Sequence, residues 1–171
     1  PRVRRQRQMC IRDSLKEDLV KVAVVERHQG TGNVACGFLK GYGIKEGAVA
    51  LSVAHDSHNI IVVGVNDEEM EFAVNSLIAQ EGGIVLVKEG KVIEQMPMPI
   101  AGLMSDQSGE WVDEKLTSIH EKAYTELGIC GDVEPVMTLC FMSLAVIPEI
   151  KLTDMGLFDV TTFSFIPVEI S

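Results

Sequence analysis

The first part of the chain alternates between apolar, β-branched runs and breaks that contain glycine or polar residues. Four such runs, each six to nine residues long, lie at 19–27, 34–41, 47–54 and 60–65. Runs of this length, rich in valine and isoleucine and bounded by glycine or polar clusters, are typical of β-strands. The pattern therefore predicts that the first half of the protein is mostly sheet.

Helical periodicity replaces the strand pattern after residue 65. The spacing predicts a helix over about 66–81, with Asn66 and Glu69 placed as a capping box and Gly82 as the stop. A second amphipathic helix is predicted over about 109–127, before Gly128. The apolar positions behind these predictions are Met70, Ala73, Val74, Leu77 and Ile78 in the first helix, and Val112, Leu116, Ile119, Ala123 and Leu127 in the second.

A hairpin is predicted between the two helices, and further strands are predicted near the C-terminus. The hairpin turns at Glu89 and Gly90, and Pro97 ends its second strand. From residue 136 the chain is strand-prone, with breaks at Pro148 and Gly156. Two main helices packed on mixed or mostly antiparallel sheet make an α+β fold.

Residues 1–14 differ from the rest of the chain because they are basic and lack apolar periodicity. Within them, residues 4–14 (RRQRQMCIRDS) resemble the in-frame translation of a common transposon-type sequencing adapter. We therefore expect residues 1–14 to be non-native, and residues 15–171 to form one domain whose upstream part is missing.

Setting that segment aside changes the charge balance. It holds five of the 15 lysines and arginines and one of the 25 acidic residues, which leaves residues 15–171 with a net charge of −14. Such a field disfavours nucleic acid and anionic membranes and suits a neutral or cationic small ligand. No apolar run approaches the roughly 18 residues of a membrane span. Cys36, Cys130 and Cys140 lack CxxC spacing, which indicates reduced, buried thiols in a cytoplasmic protein.

Side chains suited to chemistry are concentrated in one segment, SVAHDSHNIIVVG, at residues 52–64. Its polar centre consists of His55, Asp56, Ser57, His58 and Asn59. Asp, Ser and Asn are common turn residues, so the segment fits a simple loop between two buried strands. Two imidazoles beside a carboxylate also suit proton transfer or metal ligation. A third metal ligand is not evident, so the sequence predicts no metal site here.

Three other features have ordinary explanations. The glycine-rich segment 30–43 fits turns better than a phosphate site, because an apolar strand follows where a phosphate loop needs a helix N-terminus. His28 follows a predicted strand end, where functional side chains often project, although a lone histidine there is commonly a surface residue. His120 is predicted to be a solvated position of the second helix.

Five longer motifs indicate a family: ERHQGTGN, GFLKGYGIKEGAVA, SVAHDSHNIIVVG, PMPIAGLMSD and VIPEIKLTDMGLFDV. Through them, residues from about 21 to 169 resemble the C-terminal domain of bacterial and archaeal adenine deaminases of the amidohydrolase superfamily. The resemblance implies hydrolysis of adenine to hypoxanthine and ammonia in purine salvage. It also implies a divalent metal, Mn or Fe, held by a His-x-His motif on a preceding barrel domain. No His-x-His occurs in this chain, so we expect the fragment alone to be inactive and to hold no metal of its own.

For this part of the enzyme, the resemblance suggests a wall or lid of the purine pocket. The residues expected to be catalytic are His55, Asp56 and His58, and those expected to bind substrate are Ser57, Asn59 and His28. The expected partners are the enzyme's own barrel domain and adenine, with a homodimer left open; neither nucleic acid nor a membrane is expected. Two alternatives remain: a purely structural or dimerisation domain of the same enzyme, and an independent small-molecule or metal-binding module.

Overall fold

The computed structural model describes residues 18–167. Residues 1–14 lie outside this range, so their adapter origin stays a prediction. Within residues 18–167 the protein forms two antiparallel sheets and three helices, which confirms the predicted α+β fold.

Six strands form the main sheet, and they match the four apolar runs and the hairpin. They are β1 (Leu19–Val25), β2 (Val34–Lys40), β3 (Ala48–Leu51), β4 (Ile60–Gly64), β5 (Gly83–Lys88) and β6 (Lys91–Pro97). Their order is β2-β1-β4-β3-β5-β6, and all neighbours are antiparallel. These directions bring the end of β1, the β3–β4 connection and the residues after β6 to the same end of the sheet.

Both faces of the sheet are covered, which explains why its central strands are apolar at every position. Because neighbouring side chains point to opposite faces of a strand, Ile61 and Val63 join one core while Ile60 and Val62 join the other. Helix α1 (Asp67–Ala79) closes the second core. Helices α2 (Gly109–Thr125) and α3 (Pro135–Cys140) close the first.

The two long helices confirm the predicted spans to within a few residues. The Asn66 side chain accepts a hydrogen bond from the Glu69 backbone N–H at 2.7 Å and caps α1. The Glu69 carboxylate does not complete the predicted box, because its Oε1 accepts from the Gly90 N–H at 3.1 Å instead. This bond ties the start of α1 to the turn between β5 and β6.

Helix α3 corrects the prediction of strand-prone structure from residue 136. Pro135 opens the helix, where its missing N–H costs nothing, and the Glu134 carboxylate accepts the Met137 N–H. The buried Tyr42 hydroxyl donates to the Pro135 carbonyl at 2.8 Å and fixes the helix start against the first core. Strands do follow later: β7 (Ile150–Thr153), β8 (Gly156–Asp159) and β9 (Ser164–Ile166) form the small sheet.

Two smaller predictions need correction. The His120 side chain is about one-third exposed and its Nε2 lies 2.5 Å from Glu134 Oε1, so this helix position is only partly solvated. Cys140 is buried as expected, but Cys36 and Cys130 are exposed. A further observation concerns the helices of residues 18–167, none of which is long and apolar enough to cross a membrane.

Candidate functional site

The β3–β4 connection carries residues 55–59, which we call the HDSHN loop. Backbone hydrogen bonds anchor it at both ends: the His55 N–H donates to the Cys140 carbonyl at 2.9 Å, and the His58 N–H donates to the Ala54 carbonyl at 2.6 Å. The first bond attaches the loop to α3. The helix that the sequence did not predict is thus part of the support for this segment.

The two imidazoles of the loop lie close to each other and to an aromatic ring. The His55 and His58 ring centroids are 5.8 Å apart, with an angle of 69° between the ring planes. The His55 ring centroid lies 5.0 Å from that of Phe141, the residue after α3. Both histidines are half-buried, while Asp56 and Ser57 are exposed. The loop therefore holds two imidazoles at a boundary between core and solvent.

Arg27, two residues beyond β1, contacts the loop from the side. Its Nε donates to the His58 carbonyl at 2.5 Å, and its Nη2 donates to the Ala101 carbonyl at 2.9 Å. Its backbone N–H lies 3.4 Å from the Oδ1 of Asn59, which is buried. Asn59 thus uses its amide oxygen within the fold, and Arg27 joins the loop to the turn after β6.

His28 contacts the loop next to Arg27. Its Nε2 lies 2.8 Å from the Ser57 carbonyl oxygen. Because a carbonyl can only accept, Nε2 must carry a hydrogen. This contact places His28 beside the loop that carries the other two predicted histidines. The His28 side chain is otherwise exposed.

The environment of His58 favours the neutral imidazole. Burial is the main cause that lowers the pKa of His58, followed by the nearby His55 and Arg27, while Asp56 acts in the opposite direction. Its Nδ1 is shielded from solvent and has no hydrogen-bond partner among residues 18–167. Within the described part of the chain, the His58 ring therefore keeps an unpartnered Nδ1 on its buried side.

The turn that follows Arg27 resembles an anion site but is already filled. The Glu26 carboxylate accepts hydrogen bonds from the backbone N–H groups of His28, Gln29 and Thr31, the last two at 2.7 and 3.0 Å. These bonds hold the pKa of Glu26 at about 2. The glycine-rich segment therefore offers its donors to the protein's own carboxylate, in agreement with the turn interpretation.

Comparison with known proteins identifies the family. Residues 2–164 match the family described as the adenine deaminase C-terminal domain. The chain belongs to this family. It is 75% identical over 153 residues to adenine deaminase 2 of Desulfotalea psychrophila, and 52% identical over 155 residues to the adenine deaminase of Ligilactobacillus salivarius. These matches cover 90% and 91% of the chain but only 27% of each relative, so the chain spans about a quarter of the length of the curated relatives it matches.

Within this adenine deaminase C-terminal domain, the structure brings together all six residues predicted for the site. His55 and His58 face each other, His28 reaches Ser57, and Asn59 bonds the Arg27 backbone. No hydrogen bond joins the Asp56 carboxylate to either imidazole among the described residues, so its orienting role stays a prediction. Across residues 18–167, no three His, Cys, Asp or Glu side chains cluster closely enough to hold a metal ion.

Sequence patterns did not point to Arg27 or to the turn that it contacts. Arg27 and the turn lie within two of the family motifs, ERHQGTGN and PMPIAGLMSD, but 74 positions separate Arg27 from Ala101. One signal was available: Arg27 is the sole arginine between residues 18 and 167. A single arginine next to a histidine in an acidic domain is a sequence signal for a functional position.

Proposed function

We propose that this chain is the C-terminal domain of an adenine deaminase that hydrolyses adenine to hypoxanthine and ammonia in cytoplasmic purine salvage, and that the HDSHN loop completes the purine pocket. Family membership and the similarity to adenine deaminases support the activity of the parent enzyme. The observation that carries the role of the domain is the His55–His58 pair, two half-buried imidazoles 5.8 Å apart on a loop anchored at both ends.

The chemistry of the reaction suits such a pair. Water adds its oxygen to the ring carbon that bears the amino group, the carbon–nitrogen bond breaks, and the departing nitrogen takes up a proton as ammonia. A positioned imidazole that titrates near neutrality can deliver or accept that proton. His58 is half-buried beside His55, and its surroundings favour the neutral imidazole, the form that can accept a proton or a hydrogen bond. We assign His55 and His58 to these two tasks without dividing the tasks between them.

The remaining residues of the site have supporting roles in this proposal. Asp56 supplies a negative charge near His58, which favours the imidazolium form of that ring when a proton is taken up. Ser57 and His28 lie at the exposed rim, where the Ser57 hydroxyl and the free edge of the His28 imidazole are available to adenine. Asn59 is the least accessible of the set, and its contact with substrate would use the amide nitrogen.

The family resemblance implies a divalent metal, Mn or Fe, in the parent enzyme, and residues 18–167 do not fit one. A hydrolytic metal needs about three protein ligands and an open position. The two adjacent histidines are not joined by a third ligand, and no group of three metal-ligating side chains occurs in the described part of the chain. We therefore assign the metal to the upstream barrel domain and derive no step through it from these residues.

A chimera tests the proposal. The C-terminal part of the Desulfotalea psychrophila enzyme that aligns with this chain is replaced by the matching residues, and His55→Ala and His58→Ala are compared with the unaltered chimera. Loss of a positioned acid–base group costs about 10²- to 10⁴-fold in rate, so at least one variant is expected to lose about 10²-fold in kcat/KM. His120→Gln is the control, because glutamine keeps a hydrogen-bonding group opposite Glu134 and the site is left intact.

The folding and metal content of each variant are measured in parallel with the kinetics. If both loop variants keep kcat/KM within about threefold of the chimera, the loop is an ordinary turn and the catalytic role is refuted. A second candidate role, a structural or dimerisation domain, then gains support.

One observation favours that second candidate. Edge strand β2 exposes 55% of Val34 and 61% of Phe38, and exposed apolar side chains on a sheet edge commonly mark an interface. Phe38→Ser in the chimera separates the two roles. A change in oligomeric state or thermal stability, with unaltered kcat per folded subunit, is the result expected of a structural interface.

A further inference from the structure

Arg27 has an unusual set of partners for an arginine. The ion pairs found within residues 18–167 do not include it. Its guanidinium instead donates to two backbone carbonyls, those of His58 and Ala101. Burial lowers the pKa of Arg27, yet an arginine stays charged at any pH at which proteins fold. A fixed positive charge is thus held within the site by neutral acceptors.

These bonds belong to a closed chain of contacts around the HDSHN loop. Ser52, the residue after β3, donates from Oγ to the Gly102 carbonyl at 2.5 Å and accepts from the Gly83 N–H at 2.8 Å. The turn at Ala101 and Gly102 is thereby fixed to the strand that leads into the loop. Arg27 connects the same turn to His58, at the other end of the loop. The loop is held from both sides through this one turn.

Gly102 has no side chain, and the Arg27 guanidinium lies close to where a Cβ at this position would be. A Cβ at this position would lie 2.7 Å from Nη1 of Arg27 and 3.1 Å from its Cζ, and the residue has φ of +73°. A side chain here would be strained, and it would displace the far end of Arg27 before it met backbone. The glycine and the arginine therefore fit as a pair.

We propose that Arg27 is the positioning residue of the HDSHN loop: by bridging the His58 carbonyl to the Ala101–Gly102 turn, it sets the orientation of the His58 imidazole. This inference rests on the proposed function only for its consequence in catalysis. The bridge needs the planar fork of a guanidinium, which donates from Nε and Nη2 in directions fixed by one group. A lysine ammonium at the same site reaches one carbonyl but does not reproduce both bonds in that geometry.

The first test measures His58 directly in this chain by NMR, following its ring protons as a function of pH. The charged or titratable groups that face His58 are His55, Arg27, Asp56 and His28. Arg27→Gln is expected to raise the pKa of His58, because a positive neighbour is removed. Gly102→Ala is expected to shift the His58 ring resonances while all charges are kept. Lys40→Gln is the control, since it removes one exposed positive charge outside the site and is expected to leave His58 unchanged.

The second test uses the adenine deaminase chimera. A catalytic group displaced by about 1 Å can cost about 10²-fold in rate, so Arg27→Lys and Gly102→Ala are each expected to lower kcat by 10- to 100-fold, with KM within about threefold. The double variant is expected to lose little more than either single one, because both remove the same bridge. If Arg27→Gln does not fold, Arg27→Lys and Gly102→Ala carry both tests.

The outcomes separate this proposal from the proposed function. Unchanged His58 resonances in Arg27→Lys and Gly102→Ala overturn the positioning role, whatever the kinetics show. So does a normal kcat in both variants when His58→Ala is inactive. Shifted His58 resonances in Arg27→Lys and Gly102→Ala, together with a normal kcat in His58→Ala, support the positioning role and refute catalysis by His58.

Discussion

Glu94 attaches helix α2 to strand β6, and its replacement gives a stability prediction with a calculable size. Its carboxylate lies 2.9 Å from Lys115 Nζ and 3.1 Å from Lys122 Nζ, and it accepts a hydrogen bond from the Ser118 hydroxyl at 2.5 Å. Only 10% of the Glu94 side chain is exposed. Burial alone would raise the pKa of Glu94, but these three partners outweigh it and lower the pKa from 4.5 to about 2.

The magnitude follows from proton linkage. A shift of about 2.5 pKa units at roughly 1.4 kcal/mol per unit corresponds to about 3.5 kcal/mol as an upper limit. Both lysines are one-third exposed, so solvent screening reduces this figure, and we take about half of it. Glu94→Gln is therefore expected to lose about 1.5–2 kcal/mol at pH 7, or a Tm decrease of about 5 °C for a chain of this length.

The pH dependence checks the mechanism as well as the size. Because the folded-state pKa is lowered, the stabilisation is fully present above about pH 4.5 and is lost as pH falls towards 2. Circular dichroism melts of the chain and of Glu94→Gln are expected to differ at pH 7 and to converge near pH 2. Glu114→Gln, at an exposed position on helix α2, is the charge-matched control. A Tm difference below about 1 °C at pH 7, or one that persists unchanged at pH 2, would refute the assignment.

Three further predictions concern the whole chain. The purified protein with added Mn(II) or Fe(II) is expected to release no ammonia from adenine, because residues 18–167 lack a cluster of metal-ligating side chains. Turnover above that of a mock purification from the same host would place the chemistry in this domain. Deleting residues 1–14 is expected to change the Tm by less than about 1 °C, since we predict an adapter origin for this segment and an adapter was never selected with this fold; a decrease of several degrees would show that the segment belongs to the domain. In the native protein at pH 8, Cys36 and Cys130 are expected to react with a thiol reagent before Cys140, whose burial raises its pKa to about 11; equal rates for all three thiols would contradict that order.

Most elements were predictable because their signals are local. The apolar runs in β1 to β4, the hairpin turn at Glu89 and Gly90, and the periodicity of the two long helices each depend on a dozen or so neighbouring residues. Helix α3 was missed because its six residues are too few to establish a period, and valine and cysteine suit a strand as well. Its cap comes from the Glu134 side chain, which also bonds His120 from another helix.

The site was predictable only where it depends on side chains with distinctive chemistry. The HDSHN loop is visible because two histidines interrupt apolar strands. The contribution of Arg27 was not visible, because its partners are carbonyl groups that every residue possesses. The close approach of Gly102 to the guanidinium likewise depends on strand order, which the one-dimensional pattern does not specify.

The contacts of Arg27 also have a consequence for how the domain folds. Its two side-chain hydrogen bonds close segments of 31 and 74 positions. Bringing such remote segments together costs chain entropy that is recovered only after the intervening strands have paired. We therefore expect the HDSHN loop to reach its native arrangement only once the β5–β6 hairpin has joined the sheet, and a chain in which that hairpin is detached would lack a formed site.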